Sequence, residues 1–289
     1  MAPPLRAAGA LVTAAAGTVF HKMTGSGNDF IMLDGRSARA EEWPAERIKA
    51  VCDRRFGLGA DGFLVLVPEG PAAVRMVFFN SDGSRAPMCG NAALCSTRLS
   101  HRLGMAPAEM TLVTDSGSFP ARSLDGEMAE LNLPDFDPPR QMEIPLEQGE
   151  GSIWFAHSGG PPHAVVVVED IETVDVLRRG RELRSHPAFA PKGANINFVQ
   201  DPRSRAAGAK GPLPMRTYER GVEDETLACG TGAVGCAVAL AQLDLLKLPA
   251  ELLARGGFPL AVRATLSKEK IRGVWLAGEG RVIARGVLE

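Results

Sequence analysis

The sequence predicts a mixed α/β fold of the α+β kind: two pseudo-symmetric domains, each a barrel-like β-sheet curled around one central helix. Three observations lead there. At 289 residues the chain exceeds one ordinary core and suits two domains of roughly 130 residues each. Four short segments recur in the same order in both halves, as a duplicated unit would leave them. Each half also has one apolar helical pattern among many short β-like runs, so a sheet is at hand to enclose each helix.

The first repeated pair sets G-S-G-N-D-F, Gly25 to Phe30, against S-G-G-P-P-H, Ser158 to His163, each followed by an apolar run. In the second, Gly59-Ala60-Asp61 precedes Phe63 to Val67, as Gly193-Ala194-Asn195 precedes Ile196 to Val199. In the third, a strand ends in a polar tip, Phe79-Asn80-Ser81-Asp82-Gly83 against Tyr218-Glu219-Arg220-Gly221. The fourth is a Cys-Gly dipeptide, M-C-G-N-A-A-L-C from Met88 and A-C-G-T-G-A-V-G-C from Ala228. One such pair is unremarkable, but four in register point to duplication.

After each Cys-Gly the spacing turns helical. Ala92, Cys95, Leu99 and Leu103 recur at three- and four-residue intervals, and Gly104 supplies a stop. The second helix, Thr231 to about Leu246, is apolar on nearly every face and should be buried. Asn91 and Thr231 suit N-cap or first-turn positions, which puts Cys89 and Cys229 just ahead of a helix N-terminus. Strands are expected over Gly62 to Val67, Val74 to Asn80, Met110 to Thr114, Ala164 to Glu169, Asn197 to Gln200, Leu260 to Ser267 and Val274 to Leu276. Leu131 to Glu150, with Pro134, Pro138, Pro139 and Pro145 and no periodicity, reads as a linker, and Asp201 to Pro214 as a surface loop. The expected organisation is a disordered extension over 1–19, a first domain over 20–131, and a second over 132–275.

Composition narrows the function. A net charge of -2 gives no basic field for nucleic acid, and no apolar run reaches the length of about eighteen residues that a membrane-spanning helix needs. Residues 1–19 carry only Arg6, a weak basis for a targeting peptide. Five cysteines are an odd number, which speaks against a disulfide framework and for a reducing cytoplasm. Their spacing does not fit structural zinc.

A cysteine ahead of a helix N-terminus meets the positive end of the macrodipole and unpaired N–H groups, and both favour thiolate. Two such cysteines on opposite faces of one tetrahedral carbon can remove a proton from one side and return one to the other, inverting the centre without metal or cofactor. The same N–H groups suit a carboxylate and the charge that develops as the proton leaves. Cys52, Cys95 and Cys236, at helical spacings among apolar neighbours, read as packing. Asn28, Asn80, Asn195, Glu219 and Arg220 begin or end strands at matching places in the halves, which raises them above ordinary turn residues. Arg220 suits a bidentate grip on a carboxylate and Glu219 an ammonium group. His163 either orients a substrate or packs after Pro162.

From about Phe20 to the C-terminus the chain resembles the diaminopimelate epimerase family. The motifs are G-S-G-N-D-F, R-R-F-G-L-G-A-D-G (Arg54 to Gly62), F-N-S-D-G-S (Phe79 to Ser84), M-C-G-N, P-H-A-V (Pro162 to Val165), G-A-N-I-N-F-V (Gly193 to Val199), E-R-G (Glu219 to Gly221) and E-T-L-A-C-G-T-G (Glu225 to Gly232). The resemblance implies two barrel-like domains, with a strand in 276–289 returning to the first. It also implies interconversion of LL- and meso-diaminopimelate, in lysine and cell-wall precursor synthesis, by a cofactor-free homodimer. Carried over, Cys89 and Cys229 are the acid/base pair, Asn28, Asn80, Asn195, Glu219 and Arg220 fall on substrate-contacting positions, and Gly90, Asn91, Gly230 and Thr231 on helix-start anion sites.

The chain departs from the family at Pro161, where members usually carry Asn, at Ala92 and Leu94 in place of Gly and Arg, and in one added residue at Glu223-Asp224. Pro161 offers neither a side-chain donor nor an N–H, so it bears on substrate choice. It leaves open a racemase of the same fold acting on another amino acid and a non-catalytic amino-acid-binding relative. A secreted disulfide protein would need cysteine pairing and a genuine signal.

Overall fold

The computed structural model describes residues 16–158, 160–206 and 208–289. Most of the expected N-terminal extension, residues 1–15, lies outside the described residues. The last part of that expectation is corrected: Gly17 N–H donates to the Leu288 carbonyl at 2.7 Å, Leu288 N–H to that of Thr18 at 3.0 Å, and a strand begins at Val19. The chain divides into two compact units, Met1–Leu131 with Glu279–Glu289, and Asn132–Gly278.

In the first unit, β1 (Val19–Gly25) and β2 (Asn28–Asp34) form a hairpin. Its two-residue loop, Ser26-Gly27, has positive φ at both positions, 53° and 105°, the geometry that matches strand twist and that glycine adopts without steric cost. Helix α1 (Ala45–Cys52) leads to β3 (Gly62–Pro68), parallel to β2, and β4 (Ala73–Asn80) returns antiparallel. Helix α2 (Gly90–Arg102) leads to β5 (Glu109–Thr114), parallel to β4, and β6 (Gly117–Ser123) and β7 (Met128–Leu133) follow antiparallel. Side chains alternate along β2 and β3. Ile31, Leu33, Phe63 and Val65 pack with Trp43, Ile48 and Val51 on the α1 side. Phe30, Met32, Leu64 and Leu66, equally buried, face the other way. There α2 lies against β1, β2, β4, β5 and β6, so the sheet curls around it.

The second unit repeats the plan. After β8 (Arg140–Gln141) come β9 (Glu150–Ala156) and its antiparallel partner β10 (His163–Val168). Helix α3 (Val176–Arg184) leads to β11 (Asn195–Gln200), parallel to β10, and β12 (Leu213–Glu219) and β13 (Asp224–Thr226) follow antiparallel. Helix α4 (Gly230–Gln242) leads to β14 (Ala250–Leu253), parallel to β12, then to β15 (Pro259–Leu266) and β16 (Ile271–Glu279). β17 (Arg281–Val287) returns to pair with β1. Every residue of α4 from Gly230 to Leu240 is buried, against β9, β10, β11, β14 and β15.

Three sequence expectations need correction. Helix α4 ends at Gln242, not near Leu246, although the apolar pattern runs on. Asp244 takes a left-handed conformation (φ 56°), and the N–H groups of Asp244 and Leu245 close back on the carbonyls of Ala241 and Leu240. Helix α2 ends the same way through Gly104 (φ 65°), with the N–H groups of Gly104 and Met105 on His101 and Ser100. This is the Schellman closure, and an aspartate carries it where glycine is the usual residue. The region read as a linker also contains structure: β7 runs to Leu133, β8 pairs with β9, and Phe136 exchanges backbone hydrogen bonds with Ile271. Asp201 to Pro214 is not loop throughout, since β12 takes up Leu213 and Pro214 beside Leu252 and Leu253. Among the described residues no helix is long and apolar enough to cross a membrane.

The shared closure yields a paired test. Nothing lies within 4 Å of a Cβ built on Gly104, so Gly104→Ala incurs only the left-handed backbone penalty, about 1 kcal/mol. Asp244→Gly should raise stability by a few tenths to about 1 kcal/mol. Urea unfolding of the two variants should shift in opposite directions.

Candidate active site

Each cysteine of the Cys-Gly pair is the N-cap of its own thirteen-residue helix. Cys89 (φ -141°, ψ 127°) and Cys229 (φ -135°, ψ 105°) are extended, while their carbonyls already accept from Ala93 and Ala233 at 2.9 Å. Gly90 and Gly230 follow as first helical residues, then Asn91 and Thr231 as second, so the expected first-turn position of Asn91 and Thr231 holds and the cysteines themselves cap. A thiol at this position lies beside N–H groups that have no acceptor inside the helix. Cys89 is half-buried and Cys229 is 7% exposed.

In the first unit Asn91 reaches from α2 to β2, its Nδ2 donating to Asn28 Oδ1 at 2.7 Å. Asn28 Nδ2 donates in turn to Asp61 Oδ2 at 3.0 Å. Both ends of the Asn28 amide are thereby fixed. Behind them Arg54 pairs with Asp29 at 2.8 Å and Asp61 at 2.6 Å, and Lys22 with Asp29 at 2.7 Å. Burial works to raise the Asp29 carboxyl, and hydrogen bonds from Arg54 and Lys22 outweigh it, holding the group below its usual range. Asn80, at the exposed end of β4, bonds within its own turn to Ser84 Oγ at 3.0 Å.

In the second unit Asn195, fully buried at the start of β11, accepts from Arg220 N–H at 2.9 Å and directs Nδ2 toward Cys229 Sγ at 3.9 Å. Arg220 Nη1 reaches the Lys192 carbonyl at 3.4 Å. Glu219, half-buried at the end of β12, has its carboxyl pushed up by burial. His163 is fully buried and contacts Thr231 Oγ1 through Nε2 at 2.9 Å and Asn197 Nδ2 through Nδ1 at 3.1 Å. Burial, with lesser contributions from His157 and Arg220, lowers its pKa to about 3, so the ring is neutral. Thr231 Oγ1 lies 3.9 Å from Cys229 Sγ. Gly232 makes this crowding possible, since a Cβ there would come 2.2 Å from Asn197 Oδ1 and 3.2 Å from Cys229 Sγ.

Sequence reasoning passed over Asp61, Arg54 and Asp29 as functional residues and did not single out Asn197. The available signal for Asn197 was an amide inside an apolar strand, a placement that is costly unless fully hydrogen-bonded. In the sequence repeat Asn28 aligns with Pro161, and in both halves the carbonyl one residue further on accepts a backbone N–H at 2.9 Å, Asp29 from Asp61 and Pro162 from Asn195. The other three cysteines are buried, and burial pushes all three thiols up, Cys52 to about 12. None of the five is joined to another in a disulfide, which speaks against the disulfide alternative.

A family profile described as diaminopimelate epimerase matches residues 20–127 and 155–258. A diaminopimelate epimerase of Gemmatimonas aurantiaca is 42% identical over 279 residues, covering 92% of this chain and 98% of that protein. The chain belongs to the diaminopimelate epimerase family. A second family member, from Aquifex aeolicus, is 36% identical over 93% of this chain and 97% of its own. Among solved structures, a Bacillus anthracis phenazine biosynthesis protein of the PhzF family superposes with a TM-score of 0.66 at 14% identity, over 93% of this chain and 98% of that one. That likeness establishes a shared fold.

In this family member, Gly232→Ala must displace Asn197 or Cys229 and should cost about 1–3 kcal/mol, as overpacking does. Ala92, its fully buried counterpart in α2, is accommodated. Thermal unfolding that leaves the midpoint of Gly232→Ala unchanged would refute the steric reading. His163 supplies a pH test. Its ordinary value is 6.5 and its folded value about 3, so between these the unfolded chain binds the extra proton. Its contribution to stability is full above pH 6.5 and is lost on acidification, by up to about 1.4 kcal/mol per pH unit. Unfolding free energies measured from pH 7 to 4 should fall less steeply in His163→Gln.

Proposed function

We propose that the protein epimerises LL-diaminopimelate to meso-diaminopimelate and back, with Cys89 and Cys229 exchanging the Cα proton. The observation that carries this is the matched pair of cysteine N-caps on equivalent buried helices, within a chain 42% identical to a diaminopimelate epimerase. One cysteine, as thiolate, takes the Cα proton, and the other, as thiol, donates its own to the opposite face. The thiol and thiolate have then traded places, ready for the reverse reaction. The charge at Cα and the substrate carboxylate draw on helix-start N–H groups at Gly90, Asn91, Gly230 and Thr231. Asn28, Asn80 and Asn195 supply amides, Glu219 holds the ammonium group and Arg220 the carboxylate. The reading needs no metal or cofactor. A homodimer in the cytoplasm belongs to the same proposal.

Pro161 favours a second reading, a racemase for another amino acid, because it replaces an amide at the position equivalent to Asn28. Loss of one polar contact weakens discrimination by about 1–3 kcal/mol.

In D₂O the purified protein should place deuterium at Cα of diaminopimelate, and Cys89→Ala and Cys229→Ala should each lose inversion by at least about a hundredfold. Full inversion by either variant would end the two-base mechanism. Labelling lysine, glutamate, histidine and proline in parallel separates the two readings.

A further inference from the structure

We propose that Asn197 is a positioning residue for proton transfer at Cys229: it fixes the ring proton of His163 on Nε2 and, through Thr231, turns a hydroxyl hydrogen toward the Cys229 sulfur. The inference rests on the proposed role of Cys229 as acid and base.

The direction of each hydrogen bond follows from one fixed point. Asn197 Nδ2 lies 3.1 Å from the carbonyl oxygen of Ala164, which can only accept, so this end of the amide is the nitrogen. Its oxygen then accepts from Thr217 Oγ1 at 3.0 Å. The second hydrogen on Nδ2 goes to His163 Nδ1, 3.1 Å away, which makes that ring nitrogen an acceptor. A neutral imidazole with Nδ1 accepting carries its hydrogen on Nε2. Nε2–H therefore donates to Thr231 Oγ1 at 2.9 Å. The hydroxyl keeps its own hydrogen for another acceptor, and Cys229 Sγ lies 3.9 Å away, within reach of a bond to sulfur.

Every donor in this chain points from Asn197 toward Cys229. The last hydrogen stabilises the thiolate, the form that takes the Cα proton. No proton passes along the chain: Cys229 gains the proton and gives it up, while the ring and the hydroxyl keep theirs. Asn197, His163 and Thr231 are each less than a tenth exposed, so water does not compete for these bonds. Ser158 Oγ holds the Thr231 carbonyl at 2.8 Å, fixing the backbone that carries the hydroxyl. With any larger residue at 232, Asn197 Oδ1 would lose its place.

Two readouts test this without turnover. In ¹⁵N-histidine-labelled protein, the His163 signal, assigned by its loss in His163→Gln, should show a pyridine-type Nδ1 and a pyrrole-type Nε2 down to about pH 5. Asn197→Asp, which places an acceptor against Nδ1, should move the hydrogen onto that nitrogen or charge the ring. In a Cys89→Ala background, iodoacetamide labelling of the Cys229 peptide followed against pH should slow about tenfold at neutral pH in Asn197→Asp and Thr231→Val, and recover in Thr231→Ser. An Nδ1-protonated or charged His163 in the unaltered protein overturns the proposal. So does a wild-type labelling profile in folded Thr231→Val, whatever the stability of Asn197→Asp. If both readouts come out as expected and Cα takes up no deuterium, the failure lies with the proposed function instead.

Discussion

An α-helix cannot satisfy its own first N–H groups, and each unit of this protein is organised around that deficit. The strand-to-helix turn places an extended cysteine at the N-terminal end of the central helix, with glycine next, so the sulfur and the first-turn N–H groups share one location. For that end to stay in place the helix must not slide or rotate. Burial does this work. Helix α4 is apolar on every side and is enclosed by five strands, and α2 is packed against five strands of its own unit. The matched closures at Gly104 and Asp244 fix the far ends at the same length.

The surroundings of the two N-cap cysteines differ in their electrostatics. In the first unit the amide of Asn28 is held by Asp61 and, behind it, by a charged group of Arg54, Asp29 and Lys22 that water partly reaches. In the second, the corresponding place belongs to Pro161, and the groups around Cys229 are neutral and buried: His163, Asn197, Thr231 and Asn195. Charged pairs tolerate this exposure because they need not be desolvated. A buried site must instead be satisfied atom by atom, since each unmet donor or acceptor costs about 1–3 kcal/mol. The exact fit of the Asn197 amide, with the cradle at Gly232, is the consequence.

What could be read from the sequence follows from how local each cause is. Cys-Gly before an apolar helical pattern is a local signal, and both helix starts were legible from it, as was the stop at Gly104. Asp244 was not, because aspartate adopts the left-handed conformation less readily than glycine and Leu245 and Leu246 continue the apolar pattern. Strands written as runs of Val, Leu and Phe, such as β3, β4 and β10, were legible within a residue or two. The short β8 and the pairing of Phe136 with Ile271 were not, since prolines around them mask strand character and their partners lie far along the chain. Asn28, Asn195 and Arg220 stood out through the repeat. Asn197 and Asp61 make side-chain bonds to residues more than thirty positions away, so an amide inside an apolar strand could mark Asn197 but not name its partners.

The duplicated plan also explains why the halves diverged where they did. Backbone hydrogen bonds from Asp61 to Asp29 and from Asn195 to Pro162, each at 2.9 Å, tie the strand starts together in both halves, at ladder positions that differ by one residue. The side chains at those positions differ. In the second unit His163 holds the second residue of its helix, Thr231, as Asn28 holds Asn91 in the first unit. Proline at 161 therefore leaves the support of Cys229 intact. A substitution at 161 thus changes what lies beside the contact of His163 with Thr231 and not the contact itself.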